Sequence, residues 1–229
     1  MISEHPNATP SALAASIADG LRAALAERGE ASLAVSGGKS PIALFEQLRT
    51  QALDWSKVRV TLVDERCVAH DHADSNTALV HKHLLQDAAS AATFVPLFDT
   101  LPTDVSDAVL PGLVTEANRR LSALTFPLDV VVLGMGEDGH TASLFPAAPG
   151  LDNALVSPGP VAWVRPANAP HARLTLTLPV LLMARHVHLP LSGDNKLKVY
   201  QKACLSANPA FPVSLLLNNP ACDVQVWKS

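Results

Sequence analysis

The chain has 229 residues, 48% of them hydrophobic, enough for one sizeable α/β domain or two small ones. No Gly/Ser-rich or charged linker interrupts the apolar pattern, so a single domain over 1–229 is expected. With 17 Lys and Arg against 21 Asp and Glu, the net charge of −4 argues against a general nucleic-acid binder, which would carry a basic face, but leaves room for a few local cations around a small anion.

Residues 11–28 are rich in Ala and Leu, and Leu13, Ile17, Leu21 and Leu25 recur every four positions, the spacing of an amphipathic helix that Gly29 ends. Residues 31–35 form a short strand running into Ser36-Gly37-Gly38-Lys39-Ser40-Pro41. Ser40 is expected to cap a helix that continues through Leu44, Phe45 and Leu48. The next strand, 58–63, is β-branched and ends at Asp64-Glu65-Arg66. A His- and Asp-rich loop follows, then helices over 76–85 and 111–124.

The strongest strand, 128–133, feeds Gly136-Glu137-Asp138-Gly139-His140, after which 141–145 reads as a short helical turn stopped by Pro146. A Pro/Gly-rich loop over 146–160 precedes strands at 161–164, 173–178 and 187–191. A helix at 196–203 and late strands at 213–217 and 224–227 complete the chain. Pro190 lacks a backbone donor, which places its strand at a bulge or near a sheet edge. Alternating strands and helices predict a mostly parallel sheet with helices on both faces.

Four segments at strand ends carry chemistry. In Ser36-Gly37-Gly38-Lys39-Ser40, adjacent glycines let backbone N–H groups converge, and the following helix adds its positive end, which suits an anion; a tight turn without a ligand is the alternative. The segment matches neither G-x-G-x-x-G nor G-x-x-x-x-G-K-[ST], so dinucleotide and nucleoside-triphosphate sites lack their fingerprints. Asp64 is a candidate to orient a base or a sugar hydroxyl, and Arg66 to pair with phosphate or an oxyanion, against a solvated loop with a local ion pair.

In the third segment His140 is a candidate general base, because imidazole titrates near neutrality, and the adjacent Asp138 a candidate to orient it. The fourth supplies Arg173 as a fork and Lys196 as a point charge for phosphate, with surface solubility as the plainer role. A G-x-S-x-G elbow is absent, which argues against a covalent hydrolase mechanism.

Cys67, Cys204 and Cys222 form no C-x-x-C pair and suggest neither a disulfide framework nor a zinc ribbon. The pairs His70/His72, His81/His83 and His186/His188 lack a carboxylate or cysteine at a zinc spacing, so no metal is expected. The polar start, Met1 to Pro10, lacks the build of a secretory signal, and no apolar run reaches membrane-spanning length. A reduced cytoplasmic location follows as the expectation.

Taken in order, S-G-G-K-S-P, V-D-E-R-C-V, L-G-M-G-E-D-G-H-T-A-S-L-F-P, R-L-T-L-T-L-P and S-G-D-N-K resemble the 6-phosphogluconolactonase family over about residues 33–202. The resemblance implies a Rossmann-like α/β fold shared with glucosamine-6-phosphate deaminases. It implies hydrolysis of 6-phospho-D-glucono-1,5-lactone to 6-phosphogluconate, in the oxidative pentose phosphate pathway, without a cofactor. His140 then matches the general base, Arg66 a basic active-site residue and Asp64 its polar partner. Gly37, Gly38 and Ser40 match the phosphate-binding turn, flanked by Ser36 and Lys39, with Arg173 and Lys196 closing on the phosphate. Lys39 stands where small residues are common.

The expected partner is therefore a small sugar-phosphate lactone, with no nucleic acid or membrane, and the protein a monomer or small homo-oligomer. A deaminase would call for Tyr after the Asp-Glu pair and F-N-E-P after the His; this chain has Arg66 and Ser143-Leu144-Phe145-Pro146. A non-catalytic sugar-phosphate-binding regulator is the remaining alternative.

Overall fold

The computed structural model describes residues 1–229. Its first half runs β1 (Ile2–His5), α1 (Pro10–Arg28), β2 (Ala31–Val35), α2 (Ile42–Leu48), β3 (Val58–Leu62), β4 (Asp64–Arg66), α3 (Asn76–His83), β5 (Thr93–Phe94) and α4 (Leu110–Leu121). The second half runs β6 (Val130–Val132), α5 (Leu151–Val156), β7 (Val161–Val164), β8 (Arg173–Leu176), α6 (Leu178–Met183), β9 (His186–Leu191), α7 (Asp194–Ala203), α8 (Val213–Leu217) and β10 (Val224–Lys228).

Seven strands make a parallel sheet in the order β1-β10-β9-β6-β2-β3-β5. The two central strands, β2 and β6, are buried at every residue, as expected where helices cover both faces of a parallel sheet. From β2 the chain builds outward through β3 to β5; from β6 it builds the other way through β9 to β10. The order therefore reverses between β2 and β6, and a crevice opens at their carboxyl ends.

At Val63 the chain leaves this sheet. The Val63 N–H donates to Val35 O at 3.0 Å, while Val63 O accepts from Leu176 N at 2.7 Å, and β4 joins an antiparallel sheet ordered β4-β8-β7.

Local chemistry explains the best-anticipated element. Thr9 Oγ1 accepts from Ala12 N at 3.2 Å at the start of α1, Pro10 occupies its first turn, and Gly29 (φ 75) closes it with a bond to Leu25 O. Leu13, Ile17 and Leu21 are buried in a core cluster of 62 residues, and Leu25 packs partly against it. No helix is long and apolar enough to cross a membrane.

Several expectations need correction. Residues 64–66 form β4, not a loop end: Asp64 pairs with Thr175 and Arg66 with Arg173, because backbone pairing asks nothing of polar side chains. Residues 141–145 form no helix; Thr141 bridges to Met135 and Leu144, and its Oγ1 donates to Gly134 O at 2.8 Å. The 146–160 segment contains α5, begun by Gly150 at φ 89. Residues 213–217 are helix α8, since a five-residue, mostly apolar segment is too short to carry a period that tells strand from helix. Ser40 does not cap α2, which begins at Ile42 with Pro41 at the cap and no side-chain bond. Strand 173–178 stops at Leu176, and Pro179 helps start α6. The polar first residues hide an edge strand, β1, paired to β10.

Pro190 sits in an interior strand, paired with Trp227. His188 O accepts from Leu133 N on the β6 side, and Pro190, two residues on, points its donorless nitrogen to that side, past the end of β6. The missing donor therefore costs no ladder bond.

Candidate functional site

A cavity of about 270 Å³ occupies the crevice at the switch point. Its walls come from the end of β2 (Ser36, Gly37, Gly38, Ser40), the end of β6 (Gly134, Gly136, His140), the β4 pair Asp64 and Arg66, and Lys196 on α7. A second, more apolar cavity of about 340 Å³ adjoins it and shares Ser40, Pro41, Pro190 and Lys196. Ser36 holds the floor together: its N–H donates to Val132 O and its Oγ accepts from Gly134 N, both at 3.0 Å.

The loop after β6 presents the imidazole. His140 Nδ1 lies 2.6 Å from Asp138 Oδ1, and the same oxygen accepts from the His140 N–H at 3.1 Å. The His140 ring packs against Phe145 with centroids 4.2 Å apart. A Cβ on Gly136 would stand 2.2 Å from His140 Nδ1, so the loop can lay the imidazole over this backbone only because position 136 has no side chain. Gly139, at φ 79, turns the chain where a Cβ would meet Phe211 at 2.7 Å.

Asp64 is buried and its Oδ2 accepts from Ser143 Oγ at 2.6 Å, so it belongs to the Ser143 side of the cavity and is not hydrogen-bonded to His140. Ser143 N–H in turn donates to Thr175 Oγ1 at 3.2 Å. Arg66 Nη1 donates to Asp74 O at 2.5 Å, while its Nε has no partner.

Between them Glu65, which the motif reading passed over, is 1% exposed. Its carboxylate accepts from Arg66 N, Asn76 N, Thr77 N and Ser75 Oγ at 2.7–3.2 Å, anchoring the start of α3 as an anion at a helix N-terminus should. That anchor sets Asn76, a further wall residue of the cavity, whose Nδ2 donates to Asp64 O at 2.8 Å. A Cβ on Gly37 would lie 1.8 Å from Asn76 Oδ1; the glycine is required by this contact, a signal invisible without the fold.

The anticipated phosphate ligands divide. Gly37, Gly38, Ser40 and Lys196 line the cavity, whereas Lys39 is exposed and outside its lining. Arg173 also lies outside the lining; it is buried directly across from Arg66, with Nη1 unpartnered. Burial, and then repulsion from Arg66, lowers its pKa. Asn195 Nδ2 reaches Glu137 Oε1 at 3.4 Å, tying the start of α7 to the His140 loop.

Of the H-x-H pairs, only His72 joins a potential ligand cluster, with Asp74 and the distant His171. Cys67, Cys204 and Cys222 are free, and burial pushes the Cys67 thiol up to about 12.

This architecture is that of an α/β protein with a polar cleft at the point where the strand order reverses. A family model described as Glucosamine-6-phosphate isomerases/6-phosphogluconolactonase matches residues 4–227. The 6-phosphogluconolactonase of Neisseria meningitidis serogroup A is 41% identical over 231 residues, covering 98% of this chain and 96% of the relative. That of Pseudomonas aeruginosa is 44% identical over 214 residues, covering 91% and 86%. The crystal structure of a 6-phosphogluconolactonase from Shewanella baltica superposes with a TM-score of 0.90 at 39% identity, covering 100% of this chain and 97% of that one. The chain belongs to the glucosamine-6-phosphate isomerase/6-phosphogluconolactonase family.

Proposed function

We propose that this protein hydrolyses 6-phospho-D-glucono-1,5-lactone to 6-phosphogluconate, with His140 as the general base. The observation that carries the reading is the Asp138-bound imidazole of His140 lining the same cavity as the Gly37-Gly38 turn, Arg66 and Lys196. The name shared by relatives 41–44% identical over at least nine-tenths of the chain supports the substrate.

A lactone is an activated ester, so the chemistry asks for little. Asp138 accepts from Nδ1–H, which fixes the tautomer that leaves Nε2 basic. Nε2 takes a proton from water as the water oxygen attacks the lactone carbonyl carbon. Arg66 faces the developing oxyanion, with Asp64, held by Ser143, beside it. Collapse of the tetrahedral intermediate breaks the bond to the ring oxygen, and the imidazolium returns its proton to that oxygen as it leaves as a hydroxyl. The phosphate is the remote handle, held by Gly37, Gly38, Ser40 and Lys196, with Ser36, Lys39 and Arg173 adding structure or charge around it. No step calls for a cofactor.

We further read the protein as cytoplasmic, one domain, and a monomer or small homo-oligomer. A spectrophotometric lactonase assay on the purified protein, with ammonia release from glucosamine 6-phosphate measured in parallel, tests the assignment. Rapid acid release with His140 dependence supports it, and ammonia release without lactone hydrolysis overturns it.

A further inference from the structure

We propose that His72, Asp74 and His171 form a binding site for a zinc-type divalent ion, outside the cavity that holds His140. The three residues each offer one ligand atom, and those atoms lie within 4.8 Å of one another. His171 Nε2 stands 3.1 Å and His72 Nδ1 3.9 Å from the same oxygen, Asp74 Oδ2. Ligands on a tetrahedral zinc with bonds of about 2.1 Å stand about 3.4 Å apart, so small side-chain turns close the set. The two imidazole centroids lie 5.4 Å apart with the ring planes at 78°, so the rings are not stacked face to face.

The donor set selects the ion class. Two imidazoles and one carboxylate suit zinc and its transition-metal neighbours, whereas magnesium and calcium prefer all-oxygen sets. Each side chain is 28–49% exposed, leaving the remaining coordination position open to water. The backbone supports the cluster from both sides. His171 adopts φ 70, rare for a residue with a Cβ, just before Ala172, whose O accepts from Cys67 N at 2.9 Å. On the other side His72 O accepts from Ser75 N at 3.0 Å, and His72 Nδ1 accepts from Asp74 N–H at 3.0 Å; the ion replaces this last bond.

An ion here staples the loop between β4 and α3 to the segment entering β8. Because Asp74 O holds Arg66 Nη1, the staple also steadies an arginine of the neighbouring cavity. The inference rests on these three side chains and not on the reaction proposed above, so its test reads metal binding alone.

Chelator-treated full-length protein is titrated with Zn²⁺ by calorimetry, and with Co²⁺ by visible absorption. One equivalent of Zn²⁺ is expected, with tetrahedral Co²⁺ bands. Binding should weaken at least tenfold in His171→Ala and in His72→Ala, and persist in His140→Ala, which removes the only other His–Asp pair this close. Circular dichroism verifies that each variant is folded. Absence of saturable binding, or binding that survives both His72→Ala and His171→Ala or vanishes with His140→Ala, overturns the site.

Discussion

Asp138 Oδ1 accepts twice from one residue, from the His140 backbone N–H at 3.1 Å and from the ring Nδ1 at 2.6 Å. Such a two-point clamp fixes both the position and the tautomer of an imidazole, which is the preparation a general base needs. His140→Ala should therefore lower kcat by about 10²–10⁴-fold while leaving KM nearly unchanged. Steady-state lactonase kinetics decide it; a comparable rise in KM with kcat intact would remove His140 from the chemical step.

Gly136→Ala tests the same geometry from the backbone side. The added Cβ would stand 2.2 Å from His140 Nδ1 and 2.5 Å from Asp138 Oδ1, so the clamp must open. Gly136 lies in a half-exposed loop, where the surroundings can shift. The expected result is a large loss of kcat with a small change in thermal midpoint, read by kinetics and calorimetry on one preparation.

Lys196 is the one lysine that lines both adjoining cavities. If it holds the phosphate, Lys196→Ala removes a charge-assisted bond of about 1.5–3 kcal/mol, equivalent to about a ten- to hundredfold rise in KM, with a smaller effect on kcat. The same variant assayed on an unphosphorylated lactone should show no such penalty.

Glu65→Gln addresses stability. The buried carboxylate accepts from four donors, and an amide turns an NH₂ group toward N–H groups that need an acceptor. Destabilisation by about 2–4 kcal/mol is expected, measured by urea unfolding, together with loss of the Asn76 contact to the cavity wall.

His188 gives a pH dependence. It is 2% exposed, its Nδ1 accepts from Trp227 Nε1 at 3.1 Å, and its Nε2 has no partner. Burial, then the neighbouring His186 and His5, lowers its pKa from 6.5 to about 4. The unfolded chain thus binds a proton that the folded one refuses between about pH 6.5 and 4. Stability is complete above 6.5 and falls through that window by about 3 kcal/mol. Urea midpoints from pH 7 to 4.5 should drop in the native protein and drop less in His188→Gln; parallel slopes would contradict the assignment.

Much of this protein was written in local chemistry. The helix of Pro10–Arg28 has its cap, its four-residue ladder and its terminating glycine within one stretch, and Ala31–Val35 and Val161–Val164 are bounded as their apolar runs suggest. The ordered motifs around Gly37, Asp64 and His140 line one cavity, because strands of a parallel sheet end along one edge and their trailing loops meet there. Residues 213–217 and 64–66 went astray for opposite reasons: a mostly apolar segment too short to show a period, and a polar strand whose only signal is its partner.

Tertiary structure alone decided the rest. It placed Pro190 past the end of β6, put Asp64 with Ser143, withdrew Arg173 from the cavity lining while setting it opposite Arg66, and brought His171 to Asp74 across 97 positions. Contacts between segments far apart in the chain leave no periodicity in either one. A sequence states which groups are available, and only the packing of the sheet determines which of them come within bonding distance.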